Sequence, residues 1–165
     1  MAIHFIADLH FNDDERCPTL PDGSHDSAEF ARRICRNWRA RVAPDDVVWI
    51  LGNVGNAVHL GTLPGIKHLV RARHDPLPWQ CLNTGRYASV TERHVLATPE
   101  GCITLVADPL DANPDDSELV LHGGHPVRSD TSGYLSVSAC HRELAPVSLA
   151  AVRQGGVFAA LRQAA

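Results

Sequence analysis

The sequence predicts an α/β protein, and three features of its first third carry that prediction. A short β-rich segment, residues 3–7, ends at Asp8. An amphipathic segment follows it, and residues 47–51 then form a continuous apolar run, as in strands that are buried on both faces. Because strand, helix and strand follow one another within the first 51 residues, we expect a βαβ unit with a right-handed crossover.

The predicted first helix has a start signal, an apolar face and a stop signal. Asp26 and Glu29 resemble a capping box, and Pro44 follows the end of the pattern. The opposite face is rich in arginine, and we interpret it as a solvated face and not as a nucleic-acid stripe. The apolar face is formed by residues at steps of four: Phe30, Ile34, Trp38 and Val42.

The rest of the chain alternates short apolar runs with turns. Residues 56–63 are predicted to be a short helical or irregular piece, and residues 76–86 to be irregular. Further strands are predicted at residues 68–70, 95–97, 102–106, 118–121 and 134–138, with the second and third of these forming a hairpin. Ser148 is expected to cap a last helix that runs through Gln154 and stops at Gly155-Gly156.

Composition predicts one globular domain, residues 1–165, with 44% hydrophobic and 21% charged residues. A net charge of −4 argues against binding to nucleic acid, which needs a basic surface, but leaves room for a phosphate pocket. Neither a signal-peptide pattern nor a stretch of ~20 apolar residues is visible, so we expect a cytoplasmic protein and no membrane partner. The five cysteines lack zinc-site spacing, and we interpret Cys140 and His141 as structural.

Polar residues collect directly after the predicted strands, and this pattern predicts one site built from four distant segments. Ligands of open α/β sheets bind beyond the carboxyl ends of the strands. Asp8 and His10 would point to one side of an extended chain and could share a metal ion. On its own D-x-H is a common pattern, and the alternative is a surface aspartate beside a partly buried histidine. The residues at the strand ends are Asp8, His10, Asn53, Arg73, His74, Asp75, His122 and His125.

Six short segments follow one another in a recognisable order. They are D-L-H-F (8–11), D-V-V-W-I-L-G-N (46–53), L-V-R-A-R-H-D (69–75), D-P-L (108–110), L-H-G-G-H (121–125) and P-V-S-L (146–149). In order and spacing they resemble motifs of the calcineurin-like metallophosphoesterases, in particular the small phage and bacterial type. The resemblance extends over residues 1 to 153. It implies a four-layer α/β sandwich of two packed mixed sheets flanked by helices.

The same resemblance implies a site with two metal ions that clamp a phosphate and activate a water molecule. Asp8 and His10 match the ligands of the first metal. His74 matches the histidine that stabilises the leaving group, and Asp75 stands beside it. Asn53 takes the place of the aspartate that bridges both metals, and it offers a carbonyl without a negative charge.

The second metal has lost most of its ligands in this sequence. Arg73 replaces an asparagine ligand, and a guanidinium cannot ligate a metal. It would either clamp a phosphate itself or turn outward. His125 lies between two altered positions and would act as a ligand only after a shift of the loop. Residues without donor atoms replace the family's remaining histidines: Ala107, Gly124 and Pro126.

Three functions are compatible with this pattern. The first is a divergent phosphoesterase acting on a small phosphorylated substrate, with one divalent metal (Mn, Fe, Zn or Mg). Its metal ligands would be Asp8, His10, Asn53 and His125, and its catalytic residues His74, Arg73 and Asp75. The second is an inactive pseudo-phosphoesterase that binds phosphate, another ligand or a protein. The third is a structural or oligomeric partner without a ligand.

Overall fold

The computed structural model describes residues 1–20, 22–113, 119–124 and 133–154, and these form two β-sheets with helices around them. The strands are β1 (Ile3–Ile6), β2 (Val47–Leu51), β3 (Ile66–Val70), β4 (Ser89–Thr91), β5 (Arg93–Thr98), β6 (Gly101–Val106), β7 (Leu119–His122), β8 (Tyr134–Ser136) and β9 (Val147–Ser148). The helices are α1 (Ser27–Arg41), α2 (Pro78–Asn83) and α3 (Leu149–Gln154), with 3-10 helices at Ala57–Thr62, Pro109–Asp111 and Ala139–His141.

Both sheets are mixed, as predicted. The first sheet has the order β4-β3-β2-β1-β9, in which the first four strands are parallel and β9 is antiparallel to β1. The second sheet has the order β5-β6-β7-β8, with an antiparallel β5–β6 hairpin followed by two parallel pairings. The predicted fold class, two packed mixed sheets with flanking helices, is confirmed.

The predicted βαβ unit opens the first sheet. Asp26 caps the start of α1, and its side chain accepts a hydrogen bond from the backbone N–H of Glu29 at 2.9 Å. The Glu29 carboxylate pairs with Arg32 and Arg33, so the reciprocal half of the predicted capping box does not form. α1 is amphipathic, and no helix of the described ranges is long and apolar enough to cross a membrane.

Several short elements were not predicted from the sequence: α2, β4, β9 and the 3-10 helices Pro109–Asp111 and Ala139–His141. Residues 76–86 were expected to be irregular, but Pro78–Asn83 form α2, which starts with proline in its first turn. The Gln80 side chain accepts a hydrogen bond from the Leu77 N–H at 2.9 Å and supports that start. β4 was not predicted, since three residues at the edge of a sheet carry too little periodicity to detect.

The predicted last helix is present, and its start agrees with the prediction. The Ser148 hydroxyl accepts a hydrogen bond from the Ala151 N–H at 3.1 Å, so Ser148 caps α3. The predicted stop at Gly155-Gly156 lies outside the described residues, as does Glu118, the predicted first residue of β7.

The first sheet is buried on both faces because its side chains alternate between two cores. On the inner face Phe5, Trp49 and Leu51 pack against apolar side chains of the second sheet, such as Leu105 and Leu121. The opposite face packs against α1 in a second core. Each large apolar side chain that is fully buried contributes about 1.5–3 kcal/mol, so the continuous apolar runs of β1 and β2 hold the three layers together.

One edge of the inter-sheet core is closed by a stack of three rings. Trp49 of β2 lies between His68 of β3 and His94 of β5, with ring centroids 4.6 Å and 4.2 Å apart and interplanar angles of 23° and 22°. Burial lowers the pKa of His68, and the nearby His94 lowers it further. Burial also lowers the pKa of His94. The stack therefore favours two neutral histidines.

This stack predicts a loss of stability in mild acid. The unfolded chain takes up protons near the ordinary histidine pKa of about 6.5, whereas the folded state takes them up only at lower pH. The stabilisation is therefore complete above the unfolded pKa and declines as the pH falls through it. His94→Phe keeps a ring in the stack but removes a titrating group. We expect its melting temperature to fall less than that of the wild type between about pH 7.5 and pH 5.5. Equal pH dependence of the two proteins would refute this assignment.

Candidate functional site

Two adjoining cavities lie where β1, β2, β3 and β7 end. The first, here called the aspartate cavity, has a volume of about 330 Å³. The second, the arginine cavity, measures about 250 Å³. The aspartate cavity is lined by Asp8, His10, Arg16, Pro18, Asn53, Gly124, Ser138, Cys140 and His141. The arginine cavity is lined by Asn53, Ala72, Arg73, His74, Ala107, Asp108, Asp111 and Gly124. Asn53 and Gly124 therefore form the wall between the two, and the predicted His125 lies outside the described residues.

The aspartate cavity is built on unusual backbone. Asp8, His10 and Asn53 have φ angles of 57°, 41° and 54°, in the left-handed region that non-glycine residues seldom adopt. Each such residue costs on the order of 1–3 kcal/mol, and such strain is concentrated at functional sites. Backbone hydrogen bonds hold it in place, among them His10 N–H to Asn53 O at 2.9 Å. The spacing of Asp8 and His10 had suggested an extended chain, but the backbone is left-handed at both residues. Both side chains nevertheless line one cavity.

Gly52 brings the loops that follow three strands into direct contact. Its φ of +74° suits glycine, and an added Cβ would lie 2.6 Å from the Ala72 Cβ and 2.8 Å from the Ala107 Cβ. Any larger residue at Gly52 would push these loops apart. The small side chains at Ala72 and Ala107 complete the close approach, so the position at which the resemblance implied a histidine ligand is packed with a methyl group.

Asp8 is the most buried acidic group of the aspartate cavity, with 5% of its surface exposed. One carboxylate oxygen accepts a hydrogen bond from the Asn53 side-chain amide at 2.8 Å. The other accepts the Gly124 backbone N–H at 2.9 Å. A buried carboxylate needs such charge-assisted bonds or a cation. Here protein donors bind both oxygens.

The pKa of His10 lies below its ordinary value, which favours a neutral imidazole. Burial lowers its pKa, while the charges of Asp8, Asp13 and Asp75 oppose that effect. Its Nδ1 lies 4.0 Å from the nearer Asp13 carboxylate oxygen, too far for a hydrogen bond. A neutral imidazole has a free nitrogen lone pair for a proton or a metal ion.

Asp75, predicted as a catalytic residue, lines neither cavity and binds the loops that form them. One carboxylate oxygen accepts the backbone N–H groups of Asn53 and Ala72, both at 2.9 Å, and the other accepts that of Val54 at 2.8 Å. The residue is 7% exposed. Through these three bonds, here called the Asp75 clamp, the loop after β3 fixes the loop after β2 and with it the position of Asn53.

Arg73 and His74 are exposed and line the arginine cavity. Arg73 forms no ion pair with any of the described residues, so its guanidinium can face a ligand. Asp108 and Asp111 line the same cavity and add acceptors to it. One Asp108 oxygen is already bound to the Leu110 N–H at 2.9 Å.

The donor set does not fit the pair of metal ions that the resemblance implies. Asn53 directs an N–H donor at Asp8, and a bridging ligand would have to offer an anion there. Ala107 and Gly124 have no side-chain donor atoms for a metal. Within residues 1–20, 22–113, 119–124 and 133–154, no group of three or more His, Cys, Asp or Glu side chains is placed to hold a metal ion.

Among the residues of the aspartate cavity that were not predicted to belong to the site, three come from the segment after β8: Ser138, Cys140 and His141. Ser138 precedes the 3-10 helix Ala139–His141, and its hydroxyl lies 3.2 Å from the Cys140 sulfur. Their position just after the last strand of the second sheet was the available signal. Adjacent residues in an extended strand would face opposite ways, whereas the helical turn brings both Cys140 and His141 to the cavity.

Comparison with known proteins shows the fold alone. No protein-family model and no curated protein matches the chain. The crystal structure of the protein of unknown function AQ665 from Aquifex aeolicus is similar, with a TM-score of 0.74 and 18% identity over 93% of this chain and 98% of that one. Vps29 from Chaetomium thermophilum gives a TM-score of 0.45 and 17% identity, over 75% of this chain and 61% of that one.

The Asp75 clamp predicts a large loss of stability in Asp75→Asn. The amide keeps one acceptor oxygen and turns an N–H group toward backbone donors, which leaves buried N–H groups unpaired. We expect the free energy of unfolding in urea to fall by about 2–4 kcal/mol. Asp45→Asn makes the same chemical change at an exposed site and should cost less than about 0.5 kcal/mol. Equal losses in the two variants would show that Asp75 does not clamp the loops.

The Asn53–Asp8 hydrogen bond predicts that a metal ion stabilises the variant Asn53→Asp but not the wild type. The new carboxylate puts a negative charge beside Asp8 where the wild type has a hydrogen-bond donor. In the presence of a chelator we therefore expect the free energy of unfolding to fall by about 2–4 kcal/mol. Mn²⁺ should then raise the melting temperature of this variant but not that of the wild type. Asn83→Asp, an exposed change of the same kind, should not respond to Mn²⁺. An equal response of wild type and Asn53→Asp would contradict the assignment of the Asn53 amide.

Proposed function

We propose that this chain is a pseudo-phosphoesterase that binds a small phosphorylated ligand in the arginine cavity without a metal ion. The observation that supports this most directly is the state of Asp8, whose two oxygens are bound by Asn53 and Gly124. The protein thereby supplies the hydrogen bonds that a buried carboxylate needs, and no cation is required for its charge.

Arg73 is the group that would take over phosphate binding. A guanidinium binds phosphate oxygens through two parallel hydrogen bonds. It also disfavours a metal ion nearby, because unit charges 4 Å apart interact by about 4 kcal/mol at an effective dielectric of about 20, and a dication doubles that repulsion. His74 lines the same cavity and adds a second hydrogen-bonding group for the phosphoryl oxygens.

Two carboxylates line the arginine cavity and restrict the ligands that it can bind. Asp108 and Asp111 would repel a bare phosphate but would accept hydrogen bonds from hydroxyl or amino groups. A volume of about 250 Å³ suits a phosphate with a short polar body. The favoured ligand is therefore a small phosphate monoester that carries hydroxyl or amino groups.

A mononuclear phosphoesterase is the second candidate, and the presence of Asp8 and His10 in one cavity favours it. One divalent ion (Mn, Fe, Zn or Mg) would be held by these two residues, after rotation of the Asn53 amide had turned its oxygen toward the ion. Such an ion would activate a water molecule. Arg73 and His74 would bind the phosphoryl group, and Asp75 would hold the Asn53 loop in place.

The first candidate predicts that binding to a phosphate monoester depends on Arg73 and not on metal. We expect isothermal titration calorimetry in excess chelator to detect binding of glycerol phosphate, weakened about tenfold or more in Arg73→Gln. Arg36→Gln, the same change on the exposed face of α1, should leave binding unaltered. Binding that needs added Mn²⁺, with release of inorganic phosphate, would establish the second candidate instead.

A further inference from the structure

A third cavity lies behind the Asp75 clamp, between the 3-10 helix Ala57–Thr62, β3 and α2. Its volume is about 620 Å³, within the range of pockets for small organic molecules. Its lining includes four buried side chains that form an apolar floor: Val54, Leu69, Cys81 and Tyr87. We call it the α2 cavity. Neither Arg73 nor His74 lines it.

Two side chains of the lining that are partly or fully buried carry donors with no acceptor within the described part of the chain. Arg86 is half-buried and forms no ion pair with the described residues. Burial raises the pKa of Tyr87, so its hydroxyl stays protonated. No described residue accepts a hydrogen bond from it. A guanidinium and a phenol of this kind are both donors to an anion.

The other polar side chains of the α2 cavity use their acceptors within the protein. The Asn56 oxygen accepts the Val58 N–H at 3.0 Å, and the Gln80 oxygen accepts the Leu77 N–H at 2.9 Å. Their NH₂ groups remain as donors. Asp75 also lines this cavity, and its two oxygens accept three backbone N–H groups. The lining therefore offers an excess of donors above an apolar floor.

We propose that the α2 cavity binds a small organic carboxylate: an apolar body over Leu69 and Val54, with the carboxylate paired to Arg86 and the Tyr87 hydroxyl. The unpaired donors of Arg86 and Tyr87 favour a ligand whose polar end accepts hydrogen bonds over one whose polar end donates them, such as an amine. The size of the cavity excludes large ligands. This site is separate from the arginine cavity proposed to bind phosphate, since the two sets of lining residues do not overlap.

The test compares two ligands of the same shape, 1-naphthoate and the neutral 1-naphthylmethanol, by isothermal titration calorimetry on the full chain. We expect one naphthoate per chain, bound at least about tenfold more tightly than the alcohol. Arg86→Gln should remove this preference without changing the affinity for the alcohol, and Tyr87→Phe should reduce it. Arg36→Gln and Arg73→Gln should both retain it.

Three results would overturn the proposal: no binding of naphthoate, equal affinity for the two ligands in the wild type, or an unchanged preference in Arg86→Gln. Should Arg86→Gln fail to fold, as judged by its thermal melt, Arg86→Lys decides the question. Lysine keeps the charge but lacks the planar fork, so the preference should shrink without disappearing. An unchanged preference in Arg86→Lys and in Tyr87→Phe would then reject the assigned contacts.

Discussion

A carboxylate removed from water must find a cation or a set of hydrogen-bond donors, and the burial of Asp8 places that requirement at the centre of this molecule. The donors come from the loops after β2 and β7, through the Asn53 side chain and the Gly124 backbone. The bonds that stabilise the charge of Asp8 therefore also join the ends of three strands, one of them from the opposite sheet. Removal of the Asn53 amide would affect the charge and the loop geometry together.

The scaffold makes this arrangement rigid. Asp75 fixes the backbone of Asn53 and Val54 from the end of β3, and Gly52 allows the loops to approach within contact distance. The left-handed backbone at Asp8, His10 and Asn53 persists because these bonds stabilise it, while the two apolar cores hold the strands beneath. The aspartate cavity thus combines strained backbone with a buried carboxylate whose two oxygens are bound by donors of the protein itself.

Much of the fold was accessible from the sequence, because burial on both faces leaves continuous apolar runs such as Val47–Leu51. Ligands of open α/β sheets bind beyond the carboxyl ends of the strands, and this rule predicted that Asp8, Asn53 and Arg73 lie in one region. α2 and β4 escaped detection since six and three residues are too short for a periodic signal. The orientation of the Asn53 amide and the three bonds of Asp75 depend on contacts between distant segments. Local sequence carries no record of these contacts, so the three hydrogen bonds of Asp75 could not be predicted from it.

The central claim is that hydrogen bonds from the protein have taken the place of metal at Asp8. Elemental analysis of purified, tag-free protein tests this most directly, after incubation with Mn, Fe or Zn and removal of unbound ions, with Asp8→Ala as the reference. The account predicts no stoichiometric metal in either protein. One or more metal ions per wild-type chain, lost in Asp8→Ala, would contradict it and establish a metal site at Asp8.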